Sequence, residues 1–447
     1  MQYQTELSGI GFSTSPHTHP NTNPTLELAM TCPTAVSANA IPATGTGGVR
    51  DSLRTLILRG RLSPAAAFVL LSSLTVSFLA GSAAPTPLYP FYQAQWGFSP
   101  VMVTVVFGIY AVAVLSALLV AGRLSDYIGR RPVLLIATVT QSATMLLFAT
   151  ADGLSSLLLA RVIQGLSTGA AVAAVGAGLL DLDKVRGTTA NAIAPALGTA
   201  SGGILAGLMV QFLPQPSHLV YLLLGVVFIA QAIGMVFMAE TATPRAGALA
   251  SLKPQFKLPP AVRGPLLLAV PALVAPWALA GFYGSLAPTL VRGLIGSNAP
   301  LLGGLALFVL AGGGAVSILL LRHRQPRIMM ALGAAALLVG VAIVMAALSY
   351  HATLPFFIGT TLAGMGFGAA FQGAIRNVVP FAAPQERAGV LSVIFVVSYL
   401  AMGVPAVAAG YLVARTGNIF ATAYEFGSVV MLLAALALLG VVARRAK

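Results

Sequence analysis

Apolar runs long enough to cross a bilayer recur along this chain, separated by only short polar interruptions. A hydrocarbon core about 30 Å thick needs roughly 20 mostly apolar residues per helix at 1.5 Å rise. Ala65 to Pro85, Val101 to Ala121, Pro132 to Ala149, Leu157 to Leu180, Thr188 to Leu213 and Leu219 to Ala239 meet that requirement. So do Gly264 to Leu290, Ala299 to Leu321, Ile328 to Leu348, Leu354 to Val379, Gly389 to Ala414 and Ala421 to Val442. The reading is about twelve spanning helices rather than the short alternating strands of a barrel. Composition agrees: 57% of the residues are hydrophobic, 8% are charged and the mean hydropathy is +0.91, so lipid must solvate most of the surface. The expected fold class is an all-α polytopic membrane protein.

The net charge of +14 would suit a nucleic-acid partner, but its distribution excludes that reading. An even number of spans puts both termini on one side. With that side cytoplasmic, Arg50, Arg54, Arg59, Arg61, Arg123, Arg130, Arg131, Lys184, Arg186, Arg245, Lys253, Lys257 and Arg263 fall in inside segments. Arg322, Arg324, Arg327, Arg387, Arg444, Arg445 and Lys447 follow, with Arg376 near the inner end of the tenth span, while Arg292 and Arg415 fall outside. This asymmetry is the positive-inside rule, and it predicts a multi-pass protein of the cytoplasmic membrane in contact with anionic lipid.

Residues 1–60 are rich in Thr, Pro, Ser, Asn and Ala without apolar periodicity, which predicts a disordered cytoplasmic tail. Its Cys32 is the one cysteine of the chain, so no internal disulfide forms. The basic start and small residues between Arg59 and Ala84 imitate a secretory signal, but more spans follow, so this stretch reads as the first helix. The longest later interruption, residues 241–263, holds Pro244, Pro254, Pro259 and Pro260. It reads as a cytoplasmic linker between a six-helix bundle at 61–240 and another at 264–447 that ends in a short basic tail. Two such halves suggest a structural repeat with a solute cavity between them.

Between the second and third spans stands Gly122-Arg123-Leu124-Ser125-Asp126-Tyr127-Ile128-Gly129-Arg130-Arg131-Pro132. Glycines permit a tight reversal, arginines anchor at headgroups and one carboxylate stays at the membrane edge. The stretch resembles the GxLxDxxGRR signature of the major facilitator superfamily through Gly122, Leu124, Asp126, Gly129, Arg130 and Arg131, with Tyr127 where the family usually has a basic residue. The resemblance implies twelve helices in two pseudo-symmetric six-helix bundles. It further implies that Asp126 contacts the start of the eleventh helix, near Arg387 to Gly389, when the cytoplasmic side is closed. The alternative for Asp126 is a solvated carboxylate in a topogenic basic loop.

In the fourth span, Arg161, Gln164, Gly165, Thr168 and Gly169 follow i, i+3, i+4, i+7, i+8 spacing and so share one face. They resemble the RxxQGxxxG element of proton-linked family members. An intramembrane arginine is costly and faces protein or water, which implies a role in proton coupling or anion binding; a structural or snorkelling arginine is the alternative. In the fifth span, Gly198-Thr199-Ala200-Ser201-Gly202-Gly203 resembles the GPxxGG antiporter motif of the family's exporters, with Thr199 in the proline position. A close-packing ridge of small residues is the other reading.

No carboxylate or histidine falls convincingly at mid-membrane, although a proton relay needs one. Cavity candidates are Tyr110, Gln164, Asn191, Trp277, Tyr283, Gln372 and Tyr399, whereas Tyr89, Tyr92 and Trp96 read as an interfacial aromatic belt. The expected function is alternating-access transport of a small organic solute, as proton-coupled efflux by a monomer. It would use no metal and no cofactor, with the proton gradient as energy source. Uptake by a symporter, uncoupled facilitation and a transport-inactive sensor are the alternatives. The sequence carries no recognisable enzymatic motif.

Overall fold

The computed structural model describes residues 62–254, 256, 258–296 and 300–443. The tail at 1–60 with Cys32, and Arg61, Lys257, Arg444, Arg445 and Lys447, lie outside the described residues. Among the described residues, twelve helices are long and apolar enough to cross a membrane and there are no strands. The first six are α1 (Pro64–Ala83), α2 (Pro100–Ala121), α3 (Arg130–Ala149), α4 (Leu154–Leu182), α5 (Lys184–Phe212) and α6 (Pro216–Phe237). They are followed by α7 (Pro260–Ile295), α8 (Pro300–Leu321), α9 (Pro326–Ser349), α10 (Thr353–Val378), α11 (Arg387–Thr416) and α12 (Ile419–Ala443).

Local chemistry sets several of these limits. Ser63 accepts a bond from Ala66 N at 3.2 Å, and Pro64 opens α1 with an φ already helical. Asp183 separates α4 from α5 and accepts from Val185 N and Arg186 N, both at 2.9 Å. Two limits differ from expectation. The first span does not end at Pro85: a 3-10 turn at Thr86–Leu88 leads into a further helix, Tyr89–Trp96, stopped by Gly97 at φ +67°. Likewise α7 is longer than Gly264 to Leu290 and runs through Pro265, Pro271, Pro276 and Pro288. Neighbouring helices can re-satisfy the backbone groups that an intramembrane proline frees.

The helices pack as a repeat. In the first half α1 packs on α4, α5 and α6, α2 on α4, and α3 on α4 and α6. Six helices later, α7 packs on α10, α11 and α12, α8 on α10, and α9 on α10 and α12. The halves meet along α2–α11 and α5–α8, pairs that are themselves related by the repeat. Small residues make the equivalent crossings possible. A Cβ on Gly165 would lie 2.5 Å from Ala113 Cβ of α2, and Gly169 faces Val114 O; Gly364 and Gly368 of α10 meet the backbone of Leu310 and Gly314 of α8 in the same way. The largest buried apolar cluster draws only on residues before 240, and two others only on residues after 260.

Alternation places Arg123, Arg130, Arg131, Arg186, Arg322, Arg324, Arg327, Arg376 and Arg387 at one end, and Arg292 and Arg415 at the other. These are called here the arginine-rich end and the far end. Toward the far end the halves pack closely through glycines. Gly410 of α11 meets Thr104 of α2, and Gly203 and Gly207 of α5 meet Gly304 and Leu301 of α8. Thr86 Oγ1 donates to Gly284 O of α7 at 2.8 Å.

Candidate functional site

Three constellations surround the junction of the halves. The first is the Gly122–Arg131 loop at the arginine-rich end. Leu124 precedes a helical turn, Ser125–Ile128, and packs on the apolar cluster of the first half. Gly129 then takes φ +102°, which favours glycine, and a Cβ there would lie 2.5 Å from the Glu240 carboxylate. Gly122 is held against the Leu118 carbonyl. Arg130 pairs with Asp126, donates from Nε to Asp181 Oδ2 at 3.2 Å and from Nη1 to Ser125 Oγ at 2.8 Å. Arg131 donates to Met235 O at 3.1 Å and to Val236 O, which satisfies carbonyls at the end of α6.

In this conformation Asp126 is held by Arg130, while Arg387 donates to Ala382 O at 3.4 Å.

Sequence reasoning missed Glu240 as part of this loop. Its carboxylate accepts from Arg130 N at 2.7 Å and Arg131 N at 3.0 Å, so it caps α3 from a position 110 residues downstream. No spacing rule reveals such a cap; the available signal was one of a few acids at an end crowded with arginines. Glu240→Ala is expected to lower stability by about 1–2 kcal/mol, as lost N-caps do. Thermal melting of the purified protein in detergent checks this, and an unchanged melting temperature would discard the capping role.

The second constellation is buried in the first half. Arg161 and Gln164 are 0% exposed. Arg161 donates to Ser82 O at 3.0 Å, to Gln164 Oε1 at 2.7 Å and to the Tyr89 hydroxyl, and Gln164 Nε2 donates to Gly81 O at 2.9 Å. The guanidinium also lies 5.1 Å from the centre of the Tyr110 ring. These partners are neutral, and complete burial excludes snorkelling. The interfacial-belt assignment is corrected here: Tyr89 and Tyr92 are each 1% exposed, because the helix after α1 turns them inward. Tyr92 bonds Tyr221 at 3.1 Å and stacks on Trp96 with ring centres 4.7 Å apart. The network continues through Gln141, also missed, which accepts from Ser167 at 2.5 Å.

The third is an aromatic cluster where the halves touch. Trp277 of α7 lies 5.0 Å from Tyr399 of α11 and 5.3 Å from Phe371 of α10, ring centre to ring centre, with Phe367 at 6.1 Å. Trp277 and Tyr399 pack on a buried group formed by Phe107 and Ala111 of α2 with Met402 and Ala406 of α11. Tyr110 stands one turn along α2 from Phe107, so the cluster continues toward Arg161. Among the described residues the buried Trp277 indole N–H has no acceptor, a costly arrangement for a donor. Tyr110, Trp277 and Tyr399 are thus brought together. Gln372 is half-buried beside Phe371 on α10. Tyr283 is 2% exposed and bonds Thr360 at 2.8 Å inside the second half, and Asn191 donates to Gly176 O at 2.9 Å across α4 and α5.

Packing uses the α5 motif on both sides. Gly198 and Gly202 face Val76 and Ala80 of α1, whereas Gly203 faces Leu307 and Gly304 of α8. Thr199 Oγ1 bonds Pro195 O at 3.1 Å, so the intrahelical proline of α5 stands one turn before the position where the family pattern has it.

A family model described as Major Facilitator Superfamily matches residues 70–405. The multidrug resistance protein MdtL of Klebsiella pneumoniae (strain 342) is 30% identical over 178 residues, a match that spans 36% of this chain and only 44% of that relative. Solved structures share the fold at low identity. A bacterial homolog of the human lysosomal transporter Spinster, in an inward-facing and unoccupied conformation, aligns with TM-score 0.69 and 13% identity over 85% of this chain and 97% of that one. The human organic anion transporter MFSD10 aligns with TM-score 0.60 and 17% identity over 84% and 100%. The nucleoside transporter NupG gives 0.62 and 12% over 85% and 99%. With the family model covering most of its length and twelve helices whose pairings in the first half recur in the second, the chain is an integral multi-pass membrane protein that belongs to the major facilitator superfamily.

Proposed function

We propose that this protein carries a small amphipathic organic solute across the cytoplasmic membrane by alternating access, as proton-coupled efflux. The observation that carries the proposal is the cluster of Trp277, Tyr399, Phe371 and Tyr110 at the junction of the halves, with a buried indole N–H that lacks an acceptor among the described residues. Aromatic walls with few polar groups suit a solute that is largely apolar and carries an acceptor. In this reading the arginine-rich end and both termini face the cytoplasm, residues 241–263 link two moving halves, and the monomer works in contact with membrane lipid.

Asp126 acts as a gate that exchanges Arg130 for the start of α11 when the arginine-rich end closes. Arg161 serves coupling through its hydrogen-bonded face. Efflux is supported by the similarity to a protein named for multidrug resistance, since packing already accounts for the α5 glycines.

A screen of amphipathic solutes for altered accumulation in cells with and without the protein identifies a substrate. That solute is then followed in proteoliposomes under an imposed pH gradient. Gradient-driven movement is expected, and movement indifferent to the gradient would remove proton coupling. Asp126→Asn should slow turnover about tenfold or more, the effect of about 1.4 kcal/mol on one step, without loss of membrane insertion. Normal transport by that variant would sink the gating role.

A further inference from the structure

Tyr127 is the position at which the loop departs from the family pattern, and it is occupied from the linker side. Arg245 N donates to Tyr127 O at 2.9 Å, and the Arg245 guanidinium lies 4.7 Å from the centre of the Tyr127 ring. Arg123 Nη2 approaches the Tyr127 hydroxyl at 3.4 Å. Gly247 takes φ +105°, and a Cβ on it would touch the ring edge at 3.4 Å, so the backbone bends over the ring. The chain then closes one helical turn, Ala248–Ser251, in which Ser251 is 3% exposed. Upstream, Thr241 Oγ1 bonds Asp181 Oδ2 at 3.2 Å, and Asp181 also holds Arg130. The stretch from Glu240 to Ser251 is therefore fastened to the loop at its backbone, at a ring face and at a shared carboxylate.

We infer that Tyr127 and Arg245 are positioning residues of the transport cycle: they clamp the segment that joins the two halves onto the loop carrying Asp126, so loop and segment move as one body. The inference rests on the reading of that loop as a gate. A clamp of this kind makes the position of α7, which begins at Pro260, a term in the balance between open and closed arginine-rich ends. A flexible tether would leave the two independent.

The test needs no substrate. In a Cys32→Ser background, a nitroxide at Ala246→Cys reports mobility of the segment. A second variant with labels at Val185→Cys and His323→Cys, both exposed near the arginine-rich ends of α5 and α8, reports distances between the halves. Tyr127→Ala should mobilise the first label and shift the ratio of open to closed distances by about two- to fivefold, the range expected for loss of an exposed cation–π contact. Tyr127→Phe, which keeps the ring, should leave both readouts at wild type. Arg245→Lys should retain part of the effect and Arg245→Gln should lose it.

An unmoved Ala246 label in Tyr127→Ala overturns the clamp. A mobilised label with unchanged distances overturns the positioning role. Asp126→Asn in the same labelled background separates the two ideas, because unchanged distances in that variant indict the gate itself. If Asp126→Asn shifts the distances and Tyr127→Ala does not, the gate stands and the clamp falls.

Discussion

Arg161→Ala is expected to abolish transport and to destabilise the first half by about 2–4 kcal/mol. The side chain is wholly buried and its fork holds Ser82 O, Gln164 Oε1 and the Tyr89 hydroxyl in fixed relation. Truncation leaves these groups without their partner, and each unsatisfied buried partner costs about 1–3 kcal/mol. Polar contacts in membranes can be worth less, about 0.6 kcal/mol on average, which sets the lower bound of the sum. The void left by the side chain adds to the loss. Arg161→Lys separates charge from shape: an ammonium keeps the charge but cannot reach the same acceptors in one plane, so stability should recover in part and transport should not. Thermal melting and solute flux in proteoliposomes provide the two readouts. Wild-type values for both in Arg161→Ala would demote the residue to filler.

Gly304→Val should block closure of the far end while leaving both halves folded. A Cβ at this position would overlap the Gly203 carbonyl and meet the Gly207 Cα at 3.2 Å, and all of these atoms belong to the opposite half. The substitution therefore overpacks the α5–α8 seam and no internal core. Overpacking costs about 1–3 kcal/mol. Placed on one conformation of a two-state equilibrium, that cost shifts the populations by roughly five- to 150-fold, and turnover should fall accordingly. Labels on the far ends of α5 and α8 should move apart, with the melting temperature near wild type. Gly312→Val on the same helix is the control, because a Cβ there meets nothing within 4 Å. Wild-type turnover by Gly304→Val would show that the seam need not close.

How much of this was legible beforehand depends on the range over which each residue acts. Runs of apolar residues and the placement of arginines are local signals, and they located the helices and the loop around Asp126. Tyr89 was misplaced because its neighbours in sequence, Pro85, Pro87 and Pro90, mark a chain leaving the membrane, while its hydroxyl is claimed by an arginine 72 residues away. Glu240 was invisible for the same reason. The repeat escaped detection by residue type because small residues at crossings carry it. Gly165 and Gly169 stand out on the Arg161 face, but Gly364 and Gly368 are their counterpart only through the partners α2 and α8. Of the cavity candidates, Trp277 and Tyr399 came together because α7, α10 and α11 converge there. Tyr283, with the same aromatic character, sits on a face of α7 that its own half covers.

The polar ring around Arg161 also bears on how the chain is made. Synthesis proceeds from the amino terminus, so the carbonyls of Gly81 and Ser82 and the hydroxyl of Tyr89 enter the bilayer before α4 leaves the ribosome. When the guanidinium arrives, its acceptors have already been made. A helix that carries a charge is thus received by an earlier one, and the order of the helices along the chain becomes part of the energetics of assembly.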